Sequence, residues 1–159
     1  MYLITPYNSI GNLKLLSSSS EIEQILGQCD LESNILEPDY LTGLYQAGIV
    51  VSYRNDVCCF IGINSFLKPV HIDFDFSEKS YDEVLAYFFE FPDNIFAEDG
   101  VSLFSELLGI GVYFEDGIKE VSICSKDYSD YIKKGMKKIR WFYISSQGIT
   151  WKLTTPLRA

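Results

Sequence analysis

His71, Asp73 and Asp75 are the residues of this 159-residue chain whose types and spacing come nearest to chemistry. They alternate within Val70-His71-Ile72-Asp73-Phe74-Asp75-Phe76. A β-strand here would turn Val70, Ile72, Phe74 and Phe76 to one side and the imidazole with its two carboxylates to the other. Those three groups are metal ligands, and with an activated water they would make a metal-dependent hydrolase built on His71. Neighbours two apart on one strand lie about 7 Å from each other and stay in line, so they do not close around an ion without ligands from elsewhere.

Other catalytic patterns are missing. Ser-His-Asp chemistry would need the same His71, the only histidine, and a Gly-x-Ser-x-Gly elbow that the chain lacks. Neither a Gly-x-Gly-x-x-Gly turn nor a phosphate-binding P-loop occurs. Among 22 acidic residues, chance carboxylate pairs are unavoidable, so a pair alone does not indicate hydrolysis. The chain reads as a non-enzyme that needs no cofactor.

Cys29, Cys58, Cys59 and Cys124 show no Cys-x-x-Cys spacing, which disfavours zinc. Vicinal Cys58 and Cys59 on a strand would face opposite ways, a poor start for a disulfide framework. Reduced, buried thiols and a cytoplasmic location are expected. The first residues, Met1 to Asn8, carry no basic segment followed by a long apolar run, and no stretch approaches the about 18 apolar residues of a membrane span.

Charge is segregated. Residues 1–132 hold all 22 acidic side chains and six basic ones, a net −16, whereas residues 133–159 hold seven basic and no acidic ones, a net +7. An acidic body repels nucleic acid and anionic membranes and steers basic partners into encounter. Lys133, Lys134, Lys137, Lys138 and Arg140 lead into Trp141-Phe142-Tyr143, but the cluster is short and the body opposes phosphate, so internal pairing with the acidic body or a solvated helix end is expected instead of nucleic-acid binding.

Apolar residues at 47% and aromatic residues at 15% suffice for one core. Ser18 and Glu21 have capping-box spacing for a helix through Leu26, ended by Gly27. Residues 28–39 read as a connection. Tyr40–Gln46, Gly48–Tyr53 and Val57–Ile63 read as strands, with a turn at 54–56. Ser80 caps a helix from Tyr81 to about Phe91, closed by Pro92. Val101–Phe104 is a further strand. Gly109–Phe114 and Ile118–Cys124 flank Glu115-Asp116-Gly117, a hairpin turn. Residues 127–136 are weakly helical, and Ile139–Ser145 with Ile149–Thr154 form a last hairpin. The expected fold class is α+β: an antiparallel sheet of hairpins with two or three helices on one face and the other face open.

Two stretches look alike. Ile22-Glu23-Gln24-Ile25-Leu26 matches Tyr81-Asp82-Glu83-Val84-Leu85, and Ala47–Tyr53 matches Leu108–Phe114. Each helix is followed by a connection and a hairpin. The expected organisation is one domain over 1–159, with pseudo-repeats at 11–66 and 77–126 and a basic segment at 127–159.

Gly11-Asn12-Leu13-Lys14-Leu15, followed by Ser18, Glu21, Ile22 and Leu26-Gly27, resembles the opening of units in tandem-repeat β-lactamase inhibitor proteins and small outer-membrane assembly lipoproteins. No lipoprotein cysteine stands near Met1, which disfavours the envelope relatives. Leu108-Gly109-Ile110-Gly111-Val112-Tyr113-Phe114-Glu115-Asp116-Gly117 is similar to hairpins of bacterial immunity proteins that neutralise polymorphic toxins. That resemblance implies an inhibitor whose acidic face occludes the active site of a basic toxin, such as a nuclease. The contact residues expected from charge are Asp73, Asp75, Glu78, Asp82 and Glu83, and a second group of Asp93, Glu98, Asp99, Glu115 and Asp116. A regulatory or scaffold domain with no toxin partner is the other binding-protein reading.

Overall fold

The computed structural model describes all residues except 35, 36, 92, 99, 116, 117, 146, 147 and 157–159, and of residues 34, 118, 140–145 and 148–156 it describes the backbone alone. Chain order begins with β1 (Tyr2–Thr5), β2 (Ser9–Ile10), β3 (Leu13–Lys14) and α1 (Ser19–Leu26). Then come β4 (Glu32–Asn34), β5 (Glu37–Tyr45), β6 (Ile49–Arg54), β7 (Val57–Asn64), β8 (Pro69–His71) and β9 (Phe74–Asp75). The second half holds α2 (Tyr81–Phe88), β10 (Ile95–Glu98), β11 (Ser102–Ser105), β12 (Ile110–Glu115) and β13 (Ile118–Cys124). It closes with α3 (Lys126–Lys133), β14 (Lys137–Ser145) and β15 (Gly148–Pro156).

The fold is α+β. Among the described residues, ten strands form one antiparallel sheet in the order β15-β14-β10-β11-β12-β13-β7-β6-β5-β4. A smaller sheet, β3-β2-β1-β8-β9, contains the parallel pair β1 and β8. The order of one helix and four strands therefore runs twice, as α1 with β4–β7 and as α2 with β10–β13. The two meanders meet along β7 and β13, paired from Asn64↔Glu120 to Phe60↔Cys124. Residues 28–39, expected as a connection, contain β4 and the start of β5, and β10 occupies a stretch where the sequence suggested no strand.

Side-chain alternation divides this sheet into two apolar faces. Ile61, Ile63, Ile110, Val112, Val121 and Ile123 turn to the face covered by α1 and α2, where they join Ile22, Val84, Leu85 and Phe88. Ile4, Ile10 and Leu13 of the small sheet complete that main core. The opposite face, expected to be open, is partly roofed by α3: Tyr128 packs with Cys59, Phe96, Phe104, Cys124 and Met136. Among the described residues, α1 and α2 thus share a face and α3 takes the other.

Helix starts follow the local sequence. Ser18 with Glu21, and Ser80 with Glu83, each form a complete capping box, and Ser125 Oγ accepts the Tyr128 N–H. Gly27, at φ +86°, ends α1 in a conformation other residues rarely adopt. Helix α2 stops at Phe88, short of the expected Phe91, and Pro92 lies outside the described residues.

The stretch 70–76 departs from the expected single strand. Ile72 sits at φ +56° and the chain folds back there, pairing His71 with Phe74. Ile72 is 66% exposed, while His71, expected outward, is buried. Aromatic packing outweighs the alternation: Phe74 stacks on Tyr87 at 3.9 Å between ring centres, and Phe76 is fully buried beside it.

Candidate functional site

The short turn at 76–78 and the start of α2 stand opposite the β12–β13 hairpin. Between them lies a cleft of about 800 Å³. Glu78, Lys79 and Glu83 line one side and Tyr113, Phe114 and Glu115 the other, with Lys119 beneath. Local structure fixes several of these. The Ser80 N–H donates to Glu83 Oε2 at 2.8 Å within the capping box, and this bond holds the Glu83 carboxyl below its ordinary range. The Tyr113 hydroxyl donates to Glu115 Oε2 at 3.2 Å.

Lys119 alternates with Val121 and Ile123 on β13, so the pleat carries it to the covered face. Only 8% exposed, it donates from Nζ to the carbonyls of Phe76 at 2.7 Å and Ser77 at 3.4 Å. Desolvation pulls its pKa down, and Glu83, Asp75 and Glu78 oppose that pull. The ammonium is a strut tying β13 to the 76–78 turn.

Glu78 and Glu83 of the first expected acidic group lie near Lys119 in this cleft, whereas Glu115 of the second only borders it, its carboxylate held by Tyr113 on the α3 side of the sheet. The structure separates the others. Asp73 is exposed on the 72–73 turn and Asp82 on the first turn of α2. Asp75 accepts the Ser77 N–H at 2.8 Å and the Ser77 hydroxyl at 2.6 Å, which lower its pKa and commit it to the turn. Asp93 is half-buried and accepts from Ser105 Oγ and, at 2.8 Å, from the Leu107 N–H, so it anchors the turn at 106–109. Its burial raises its pKa. Glu98 stands at the end of β10, on the α3 side of the sheet. Asp99 and Asp116 lie outside the described residues.

His71 does not share a face with the two aspartates. Its Nδ1 lies 2.7 Å from the Tyr87 hydroxyl, and its ring packs against Tyr87 and Phe91. Burial lowers its pKa and favours the neutral imidazole. Among the described residues no three His, Cys, Asp or Glu side chains cluster to hold a metal ion. The cysteines are free thiols. Burial pushes Cys58 and Cys124 up to about 12 and Cys59 to about 11, which leaves them poor nucleophiles.

Lys119, Tyr113 and Glu120 were not among the expected site residues. The signal for Lys119 and Glu120 was present in the alternation of β13, where one of two adjacent charges had to turn toward the core.

No protein-family model, curated protein or solved structure matches this chain. Among the described residues no helix is long and apolar enough to cross a membrane.

Proposed function

We propose that this chain is a binding protein that neutralises a basic protein partner, as an immunity protein neutralises its toxin, with the Glu78–Glu83–Glu115 cleft as the contact surface. The observation that carries this reading is an acidic cleft in which Glu78 and Glu83 lie near the buried Lys119, with Glu115 at the rim. Complementary charge speeds encounter, and Phe114 supplies a rigid ring of the kind that concentrates affinity at interfaces. The net −16 of residues 1–132 extends the same field beyond the cleft.

The experiment is capture of partners from the native lysate on the tagged chain at rising ionic strength, followed by expression of the captured protein with and without the chain. A basic protein that arrests growth alone and is harmless when co-expressed is the expected outcome. The double variant Glu78→Lys/Glu115→Lys should bind it at least tenfold more weakly and lose protection, since two attractive contacts become repulsive. Capture indifferent to salt and to the double variant defeats the reading. A captured partner without toxicity supports a regulatory binding protein instead.

A further inference from the structure

On the α3 side of the large sheet, two neighbouring rows of side chains run across the strands. Ser102, Tyr113, Glu120 and Asn64 are paired in one row, and Phe104, Gly111, Ser122 and Gly62 in the next. The second row has almost no side-chain height at Gly111, Ser122 and Gly62. A trough of about 480 Å³ lies along it, walled by Tyr131 and Ile132 of α3 and by Phe60.

Neither glycine is required by backbone conformation, because neither has a positive φ. The space a side chain would take above each is filled by a neighbour. A Cβ on Gly111 would stand 2.8 Å from Ser122 Oγ, and one on Gly62 would stand 2.8 Å from the Glu120 carboxylate. Glu120 thus lies down onto Gly62 in place of extending into solvent. Glycine inside a strand commonly marks close approach of another group. Here that group is a carboxylate, brought close to the sheet and partly buried.

No hydrogen-bond donor and no cation among the described residues pairs with Glu120. A carboxylate partly withdrawn from water and without a partner gains from pairing with an incoming cation. Glu37 and Glu98 add negative potential to the same trough. The Tyr131 ring already attracts one cation, with Lys134 Nζ 5.8 Å from its centre, on the rim.

We propose that this trough is a socket for an arginine side chain of a protein partner, the guanidinium pairing with Glu120 while its plane lies against the Tyr131 and Phe60 rings. Guanidinium suits the place better than ammonium. It is planar, weakly hydrated, stacks on aromatic faces and meets a carboxylate through two parallel N–H bonds. The socket is on the sheet face opposite the α1 and α2 helices and does not depend on the acidic cleft for its argument.

The test uses the whole chain and N-acetyl-arginine amide as the probe, followed by amide and carboxyl NMR. Saturable shifts are expected at Gly62, Gly111, Glu120 and Ser122. Glu120→Gln, which keeps shape and loses charge, should weaken binding roughly tenfold or more, the scale of a charge-assisted pair. Its unshifted amide spectrum elsewhere would show that the fold is intact. A Gly111→Ala variant, placing a methyl in the trough, should weaken binding while leaving Glu120 charged. Three outcomes overturn the socket: shifts that do not saturate, shifts unchanged in Glu120→Gln, or n-butylammonium binding as tightly as the arginine probe. Because the probe is small and no partner is needed, this result is independent of whether charge reversal in the cleft abolishes capture.

Discussion

Lys119 and Glu120 are consecutive on one strand and face opposite sides of the same sheet, and their charges meet opposite treatment. The lysine goes under the cleft and finds two carbonyls. The glutamate goes onto the α3 face and finds a glycine and two aromatic walls, with no donor. Burial lowers the pKa of the first and raises that of the second. Both shifts come mainly from desolvation, yet only the lysine has hydrogen bonds that make its position a structural element. One charge holds the fold together and the other is held by it.

The comparison is broken most severely at Lys119. Lys119→Met keeps the length and the apolar stem but leaves the Phe76 carbonyl without its donor, and should cost about 2 kcal/mol in chemical denaturation, the scale of a buried group left unpaired. A cost near zero would mean that the ammonium is a passenger.

Glu120→Gln should move stability the other way by a smaller amount, up to about 1 kcal/mol at neutral pH, because a partly desolvated unpaired charge is removed. The pH dependence has a definite sign. A carboxyl whose folded pKa exceeds its unfolded value binds more protons when folded, so its contribution falls as pH rises from the ordinary carboxylate range through the folded pKa. The gain from Glu120→Gln should therefore be largest at neutral pH and vanish in acid, as read from denaturation midpoints at several pH values. Lys119, with a lowered pKa, gives the opposite slope at the alkaline end: stability rises as pH climbs from the folded toward the unfolded lysine pKa.

The smallest effect is expected for Gly62→Ala. The new methyl takes the space of the Glu120 carboxylate, which must swing into solvent. The carboxyl pKa should return toward its ordinary range while the fold is preserved, as followed through its carbon resonance. An unchanged titration would show that burial on Gly62 is not what raises it.

Much of this was legible in the chain. The capping box of Ser18 with Glu21, the cap at Ser80, the hairpins of residues 49–64 and 110–124 and the α+β class follow from residue types at short spacings, which local physics decides. The candidate cleft was half legible: Glu78, Glu83 and Glu115 were identified by charge, but their placement depends on how α2 lies against β12 and β13. The 70–76 segment misled because its alternation was regular, while Tyr87, Phe74 and Phe76, gathered from two elements, stabilise the fold-back at Ile72 more than a straight strand would. The structural role of Asp93 was hidden for a related reason. Its partners, Ser105 and Leu107, are 12 and 14 residues away, and nothing in its neighbourhood announces them.

The seam between β7 and β13 also bears on how the chain reaches this fold. Each meander is made of strands adjacent in sequence, whereas the seam joins Ile61 with Ile123 across the intervening α2. Closing a loop of about 60 residues loses chain entropy before any pairing rewards it. The two meanders are therefore expected to organise first and to zip together late. Ile61→Val and Ile123→Val should then accelerate unfolding while leaving the refolding rate nearly unchanged.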